Sequence, residues 1–179
     1  MIFVDTSFWL ALRLPRDSHH GEAVTLMREL ASTSLVTSNH VRGESWTIMR
    51  RRVWHAAAVR FLDVLERTER VRVDRISREL EGSALRWLRQ HDEREYSFVD
   101  ATSFALMRSL RITEALGREA RKERTSKAAL IRRYVRERLR PNPLPPIEED
   151  PLWELVGTVD VDPVDDIDEF LYGPSSNKT

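Results

Sequence analysis

The sequence contains no cysteine, so disulfide bonds and thiolate metal sites are excluded. It also has no apolar run approaching the roughly 18 residues that a transmembrane helix needs. The first ten residues, MIFVDTSFWL, show neither a basic leader nor a small-residue cleavage site, as a secretory signal would. These absences predict a cytoplasmic protein that does not span a membrane.

Net charge is also absent, because 29 basic residues balance 29 acidic ones over 179 residues. This balance hides an asymmetry. Residues 118–140 carry ten Lys or Arg against three acids, whereas residues 141–173 carry ten Asp or Glu and no Lys or Arg. A basic segment followed by an acidic one indicates two surfaces with different partners, or two that meet each other. A solvated helix followed by a disordered tail is the simpler alternative.

Short apolar runs alternate with helical patterns through the first 116 residues. The whole chain is 41% hydrophobic, so a segment of this length can form one hydrophobic core. Strands are predicted at 1–4, 34–38 and 70–76, with a short last strand or turn in 111–116. Helices are predicted from near Phe8 with Thr6 and Ser7 as N-caps, from near Ser18, and over 39–53, 55–68, 77–91 and 100–110. This order predicts an α/β fold with a parallel sheet covered by helices.

Three carboxylates stand out by their positions. Asp5 closes the first strand, Asp100 opens an apolar helix, and Glu44 should face inward or lie at the edge of the core. Ligand sites of parallel sheets lie outside the carboxyl ends of the strands. Converging carboxylates suit Mg²⁺ or Mn²⁺, and such an ion can activate water for phosphodiester hydrolysis. Taken singly, Asp100 could be only an N-cap and Asp5 only a turn residue.

The segments IFVDTSFWLAL, SNHVRGESWTIMRR and YSFVDATSFALMRSLRITEAL resemble the three acidic blocks of PIN-domain ribonucleases, in particular the VapC-type toxins of bacterial toxin–antitoxin pairs. The resemblance implies a PIN-like parallel sheet over residues 1–116. It also implies that Asp5, Glu44 and Asp100 hold Mg²⁺ or Mn²⁺ and position the water that cleaves RNA. The neighbouring hydroxyls that would orient carboxylates or phosphate are those of Thr6, Ser7 and Ser103.

The resemblance ends near residue 116, where a fourth acid and a last strand would follow in such toxins. Glu119, Glu123 and Asp92 are weak substitutes for that acid, so weak or absent activity stays open. Residues 117–140 instead resemble the helix pair of a VapB-type ribbon-helix-helix antitoxin. Residues 141–179 resemble a proline-containing linker and the acidic, toxin-wrapping tail of such antitoxins. The β-ribbon with which these proteins read DNA is missing, so specific DNA binding is expected to be weak or absent.

The acidic tail is predicted to lie on the phosphate-binding surface of the nuclease, in its own chain or in a second chain as a homodimer. Severing the chain near Pro143 would then raise activity. The expected apolar anchors of the tail are Trp153, Leu155, Phe170, Leu171 and Tyr172. The basic residues proposed to line the surface are Arg13, Arg16, Arg42, Arg50, Arg51 and Arg52.

The sequence therefore predicts a metal-dependent endoribonuclease that carries its own antitoxin-like inhibitory segment, with an RNA target that the sequence does not specify. The alternative belongs to a different functional class: a non-catalytic toxin–antitoxin remnant that acts by binding proteins or, weakly, DNA. A DNA-directed nuclease of the wider PIN and flap-endonuclease type is disfavoured, because the chain is too short for DNA-clamping elements.

Overall fold

The computed structural model describes residues 1–92, 95–112, 115–116 and 146–157. The predicted helix pair at 117–140, the substitute acids Glu119 and Glu123, and the anchors Phe170, Leu171 and Tyr172 lie outside these residues. Within the described ranges, none of the helices has the length and apolar character needed to cross a membrane.

A four-stranded parallel sheet forms the centre of the fold. Its strands are β1 (Ile2–Val4), β2 (Leu35–Ser38), β3 (Val71–Asp74) and β4 (Ala115–Leu116). They lie in the order β3-β2-β1-β4, with Ile2 opposite Leu35, Leu35 opposite Val71, and Phe3 opposite Ala115. Along the chain, β2 and β3 are added on one side of β1 and β4 on its other side. The carboxyl end of β1, where the strand order reverses, is where a ligand site is expected.

In the part of the chain that the structure describes, six helices connect and cover the strands. Their bounds are α1 (Thr6–Arg13), α2 (His20–Glu29), α3 (Asn39–Arg52), α4 (His55–Arg67), α5 (Arg78–Leu88) and α6 (Phe98–Ser109). Serine side chains cap the starts of α3, α5 and α6, where Ser38, Ser77 and Ser97 each accept a backbone N–H. The alternation predicted from sequence is confirmed, including the short strand in 111–116.

Helix α1 begins earlier than the sequence predicts. Asp5 occupies the N-cap position, and the helix starts at Thr6 rather than near Phe8. Thr6 is therefore the first helical residue and not a cap, and its hydroxyl donates to Glu44. Almost every residue of α1 is buried, since the helix is covered by its neighbours α2 and α3.

A second piece of chain completes the core. Residues 146–157, here named the docked segment, form two 3₁₀ helices, Ile147–Glu149 and Pro151–Leu155. Ile147, Leu152 and Leu155 are buried in the same apolar cluster as the sheet and helices. Full burial of such side chains contributes roughly 1.5–3 kcal/mol each. The docked segment is therefore a packed part of the domain.

Candidate active site and the docked segment

The carboxyl ends of the strands bring the first two predicted site residues together. Asp5 directly follows β1 and lies 3.4 Å, Oδ2 to Oγ, from the hydroxyl of Ser7. The next residue, Thr6, donates from Oγ1 to Glu44 Oε2 at 2.5 Å. This bond joins the start of α1 to α3, so Glu44 lies half-buried at the edge of the core, as the sequence predicts.

Asp100 reaches the same edge of the sheet through α6. His40, in the first turn of α3, lies 3.2 Å from the Thr102 hydroxyl through its Nδ1 atom. Because α3 starts directly after β2, this contact places the first turn of α6 beside the carboxyl end of the sheet. Asp100 Oδ2 accepts the backbone N–H of Ser97 at 2.8 Å. The interpretation of Asp100 as the N-cap is wrong, because Ser97 is the N-cap and α6 starts at Phe98. Asp100 forms one half of a capping box.

The donor atoms at this edge fit a divalent cation in type, because Mg²⁺ and Mn²⁺ prefer oxygen ligands. The buried hydroxyl of Ser103, one helical turn after Asp100, has no hydrogen-bond partner among the described residues. Within that part of the chain, no three His, Cys, Asp or Glu side chains are grouped closely enough to hold a metal ion. A site of one or two carboxylates completed by water and phosphate suffices for Mg²⁺, which keeps several waters.

Most arginines assigned to the phosphate-binding surface lie elsewhere, and this corrects the prediction. Arg13 ends α1 and is buried, about 12 Å along the helix from Asp5. Arg16 follows α1, and Arg50, Arg51 and Arg52 end α3, which also runs away from the carboxyl edge. Helices α1 and α3 both start at the carboxyl edge of the sheet and end at the opposite edge, so arginines in or after their last turns lie away from the carboxylates. Only Arg42 lies in the first turn of α3.

Four other residues at the carboxyl edge were not predicted from the sequence. His40 precedes Glu44 by one turn, and Phe98 precedes Asp100 by two residues. Arg75 is exposed directly after β3, and Arg78 is exposed at the start of α5. The rule that selected Asp5, a position just after a strand, would also have selected Arg75. Asp92 is exposed in the loop after α5.

The docked segment lies at the other end of the sheet. Asp150 is buried against Arg70, which directly precedes β3, and its Oδ2 lies 2.8 Å from Arg70 Nε. Asp150 Oδ1 also accepts the Thr68 hydroxyl at 2.8 Å and the backbone N–H of Leu152 at 2.9 Å. A buried ion pair of this kind is retained only when further hydrogen bonds satisfy the carboxylate.

The docked segment also closes the end of α1. The Gly157 N–H donates to the Leu12 carbonyl at 3.1 Å, and Arg13 Nη1 donates to the Glu154 carbonyl at 3.2 Å. Burial and the charge of Arg60 lower the pKa of Arg13 to about 10. Gly157 has a φ of 61°, a left-handed backbone conformation that residues with a side chain rarely adopt, so glycine is the residue that fits.

Arginines on the surface hold the outer face of the docked segment. Glu154 pairs with Arg67 at 3.0 Å and with Arg60 at 3.3 Å, while the Arg28 guanidinium lies 5.0 Å from the centre of the Trp153 ring. The described tail residues therefore bind a basic face of α1, α2 and α4. The predicted anchors Trp153 and Leu155 do bind the domain, but away from the carboxylates.

Substituting Glu154 by glutamine tests this outer contact. The hydrogen bond from Arg67, and then its charge and that of Arg60, hold the pKa of Glu154 below its ordinary value of 4.5. A lowered carboxyl pKa adds stability that is complete above the ordinary value and is lost as the pH falls through the lowered one. We expect a higher Tm for the wild type than for Glu154→Gln at pH 7, and equal values in strong acid. A difference that persists unchanged in acid would contradict this pairing.

Comparison with known proteins agrees with this geometry. A family profile described as PIN domain matches residues 2–121. The 23S rRNA-specific endonuclease VapC20 of Mycobacterium tuberculosis, from strains CDC 1551 / Oshkosh and ATCC 25618 / H37Rv, is 51% identical over 115 residues, which span 64% of this chain and 86% of the relative. The crystal structure of Mycobacterium tuberculosis VapC20, described as a sarcin-ricin loop cleaving toxin, matches with a TM-score of 0.63 and 46% identity over 68% of this chain and 92% of that one.

A parallel sheet with acidic residues at its carboxyl edge defines a PIN-like α/β domain. The chain belongs to the PIN-domain family, and its relatives within that family are VapC-type toxins.

Proposed function

We propose that this chain is a VapC-type endoribonuclease that requires a divalent metal ion. The observation that carries the proposal is the placement of Asp5, Glu44 and Asp100 around one edge of a domain that is 51% identical to a ribosomal-RNA endonuclease. Asp5 and Asp100 would hold Mg²⁺ or Mn²⁺, and Glu44 would bind the ion through water. The ion supplies a Lewis acid and an activated water for phosphodiester hydrolysis.

The other residues at the edge prepare this site. The Thr6 hydroxyl holds the Glu44 carboxylate, Ser7 lies beside Asp5, and the buried Ser103 hydroxyl lies one turn after Asp100. Arg42, Arg75 and Arg78 would bind the RNA backbone. Ribosomal RNA of the large subunit is the first substrate to test, since the VapC20 relatives are named for cleaving 23S rRNA.

We also propose that the carboxyl-terminal part of the chain is an antitoxin-like inhibitor in three parts: a basic helix pair at 117–140, a linker, and the acidic tail. The contacts of the docked segment with Arg13, Arg67 and Arg70 support this role, because they attach the tail to the nuclease domain. Residues 158–173, which follow the attachment, could extend up to about 50 Å, far enough to reach the carboxylates. Exchange of the segment between two chains would give the predicted homodimer.

Truncation after Gly157 tests the inhibitor. It removes residues 158–179 and keeps the docked segment, so we expect faster Mn²⁺-dependent cleavage of 23S rRNA than with the full chain. A cut near Pro143 is a weaker test than the sequence suggested, because the docked segment would stay bound through its buried contacts. Equal rates for the full and truncated chains would overturn inhibition by residues 158–173. Absence of cleavage by both would favour the non-catalytic remnant.

A further inference from the structure

An exposed aromatic ring lies beside the carboxylates without a role in the metal site. Phe98, the first residue of α6, is 39% exposed. Its ring centre lies 5.6 Å from that of His40, with the two planes 34° apart. Exposed single apolar residues are common in proteins, so exposure alone carries no meaning. The position of Phe98 is informative, because Phe98 precedes Asp100 by two residues and its neighbour His40 precedes Glu44 by one helical turn.

The orientation of His40 is fixed by a hydrogen bond. The Thr102 hydroxyl donates its only proton to the Val99 carbonyl at 3.0 Å. In this arrangement the hydroxyl oxygen accepts from His40 Nδ1, which lies 3.2 Å away. In the neutral ring this leaves Nε2 as an acceptor. A side chain held in this way offers a ligand a pre-arranged acceptor beside an apolar ring face.

We propose that Phe98 and His40 form a nucleotide-binding platform, with Phe98 stacking on a base of single-stranded RNA and His40 Nε2 accepting a hydrogen bond from the same nucleotide. This inference rests on the proposed ribonuclease function and names a contact for its substrate. Aromatic rings stack on any base, because every base has a π-face. A ribose 2′-hydroxyl is a donor of the kind that Nε2 would accept, and it distinguishes RNA from DNA.

The platform explains how an RNA strand could be held at an edge where Mg²⁺ has few protein ligands. Stacking beside Asp100 would fix the nucleotide next to the phosphate to be cleaved, so that fewer contacts from the protein to the phosphate would be needed. The platform residues are thus expected to act on substrate affinity more than on the chemical step.

The test uses the full chain and a fluorescein-labelled single-stranded RNA oligonucleotide, with binding measured in EDTA so that cleavage does not interfere. Phe98→Ala is expected to raise the Kd about tenfold or more, since loss of base stacking has effects of this size. Phe98→Tyr should restore most of the affinity. The matched control is Trp54→Ala, because Trp54 is 49% exposed but follows the far end of α3, about 20 Å from His40.

A second measurement separates stacking from a general effect on folding. Oligonucleotides with one abasic site at each position in turn should reveal a position where loss of the base weakens binding to the wild type. Removal of that base should cause no further loss of affinity in Phe98→Ala. A 2′-deoxy substitution at the same nucleotide should weaken binding to the wild type and leave binding to His40→Ala unchanged. In cleavage assays KM should rise in Phe98→Ala with a smaller change in kcat.

The outcomes distinguish this proposal from the proposed function. Cleavage by the wild type with unaltered binding in Phe98→Ala, or equal losses in Phe98→Ala and Trp54→Ala, would overturn the platform alone. Phe98-dependent binding without metal-dependent cleavage would overturn the nuclease alone. A wild type that neither binds nor cleaves RNA, both as the full chain and when truncated after Gly157, overturns both.

Discussion

Replacement of Asp150 by alanine is expected to lower the free energy of unfolding by about 3–5 kcal/mol, because it leaves the Arg70 guanidinium buried without its carboxylate. The Arg70 and Asp150 side chains are 1% and 5% exposed, so water does not replace the lost partner. The Thr68 hydroxyl and the Leu152 N–H lose their acceptor in the same step. For a chain of this size the fall in Tm should be on the order of 10 °C.

Two further variants show which contact is responsible for that loss. Asp150→Asn keeps the acceptor for Thr68 and Leu152 but removes the charge, so its loss should be intermediate. Glu149→Ala removes an exposed acid next to Asp150 and should change stability little. Chemical denaturation measures all three. Equal small effects for Asp150→Ala and Glu149→Ala would mean that the docked segment leaves the domain without disturbing it.

Asp5→Asn is expected to reduce the rate of RNA cleavage at least about 100-fold, because even residues behind the metal ligands cost 10–100-fold when changed. Asparagine keeps an oxygen for the Ser7 hydroxyl, so the fold of the β1–α1 turn should be preserved. Asp100→Asn should show a similar loss of cleavage rate with its fold preserved, since an amide oxygen can still accept the Ser97 N–H.

The assay is best made in the chain truncated after Gly157, where the highest rate is expected. Asp63→Asn, an exposed carboxylate on α4, is the control for loss of a negative charge. Retention of most activity by both Asp5→Asn and Asp100→Asn would remove these carboxylates from the mechanism. Loss in only one of them would show which carboxylate binds the ion.

The carboxyl edge of the sheet could be predicted from the sequence because its signals are local. Apolar runs ending at Asp5 and Ser38 mark strands, and Ser97 with Asp100 forms a recognisable helix start. Periodicity also placed Glu44 at the edge of the core. What joins these residues, the Thr6–Glu44 and His40–Thr102 bonds, depends on how the helices pack and is invisible in the order of residues.

The position of the tail could not be predicted for the same reason. Its charge and apolar residues showed that it would bind a basic surface, but not which one. The binding face consists of arginines from α1, α2, α4 and the start of β3, which only the folded sheet brings together. Arg13 misled the prediction most, because it is itself buried, at the end of a helix whose residues are nearly all buried.

Binding of Mn²⁺ to the purified protein is the most direct test of whether separate carboxylates at the end of the sheet share one cation. Titration followed by electron paramagnetic resonance should show one bound ion in the wild type. Affinity should fall at least about tenfold in Asp5→Asn and in Asp100→Asn, and stay unchanged in Asp63→Asn. A wild type that binds no Mn²⁺, or variants that bind it equally well, would contradict the account.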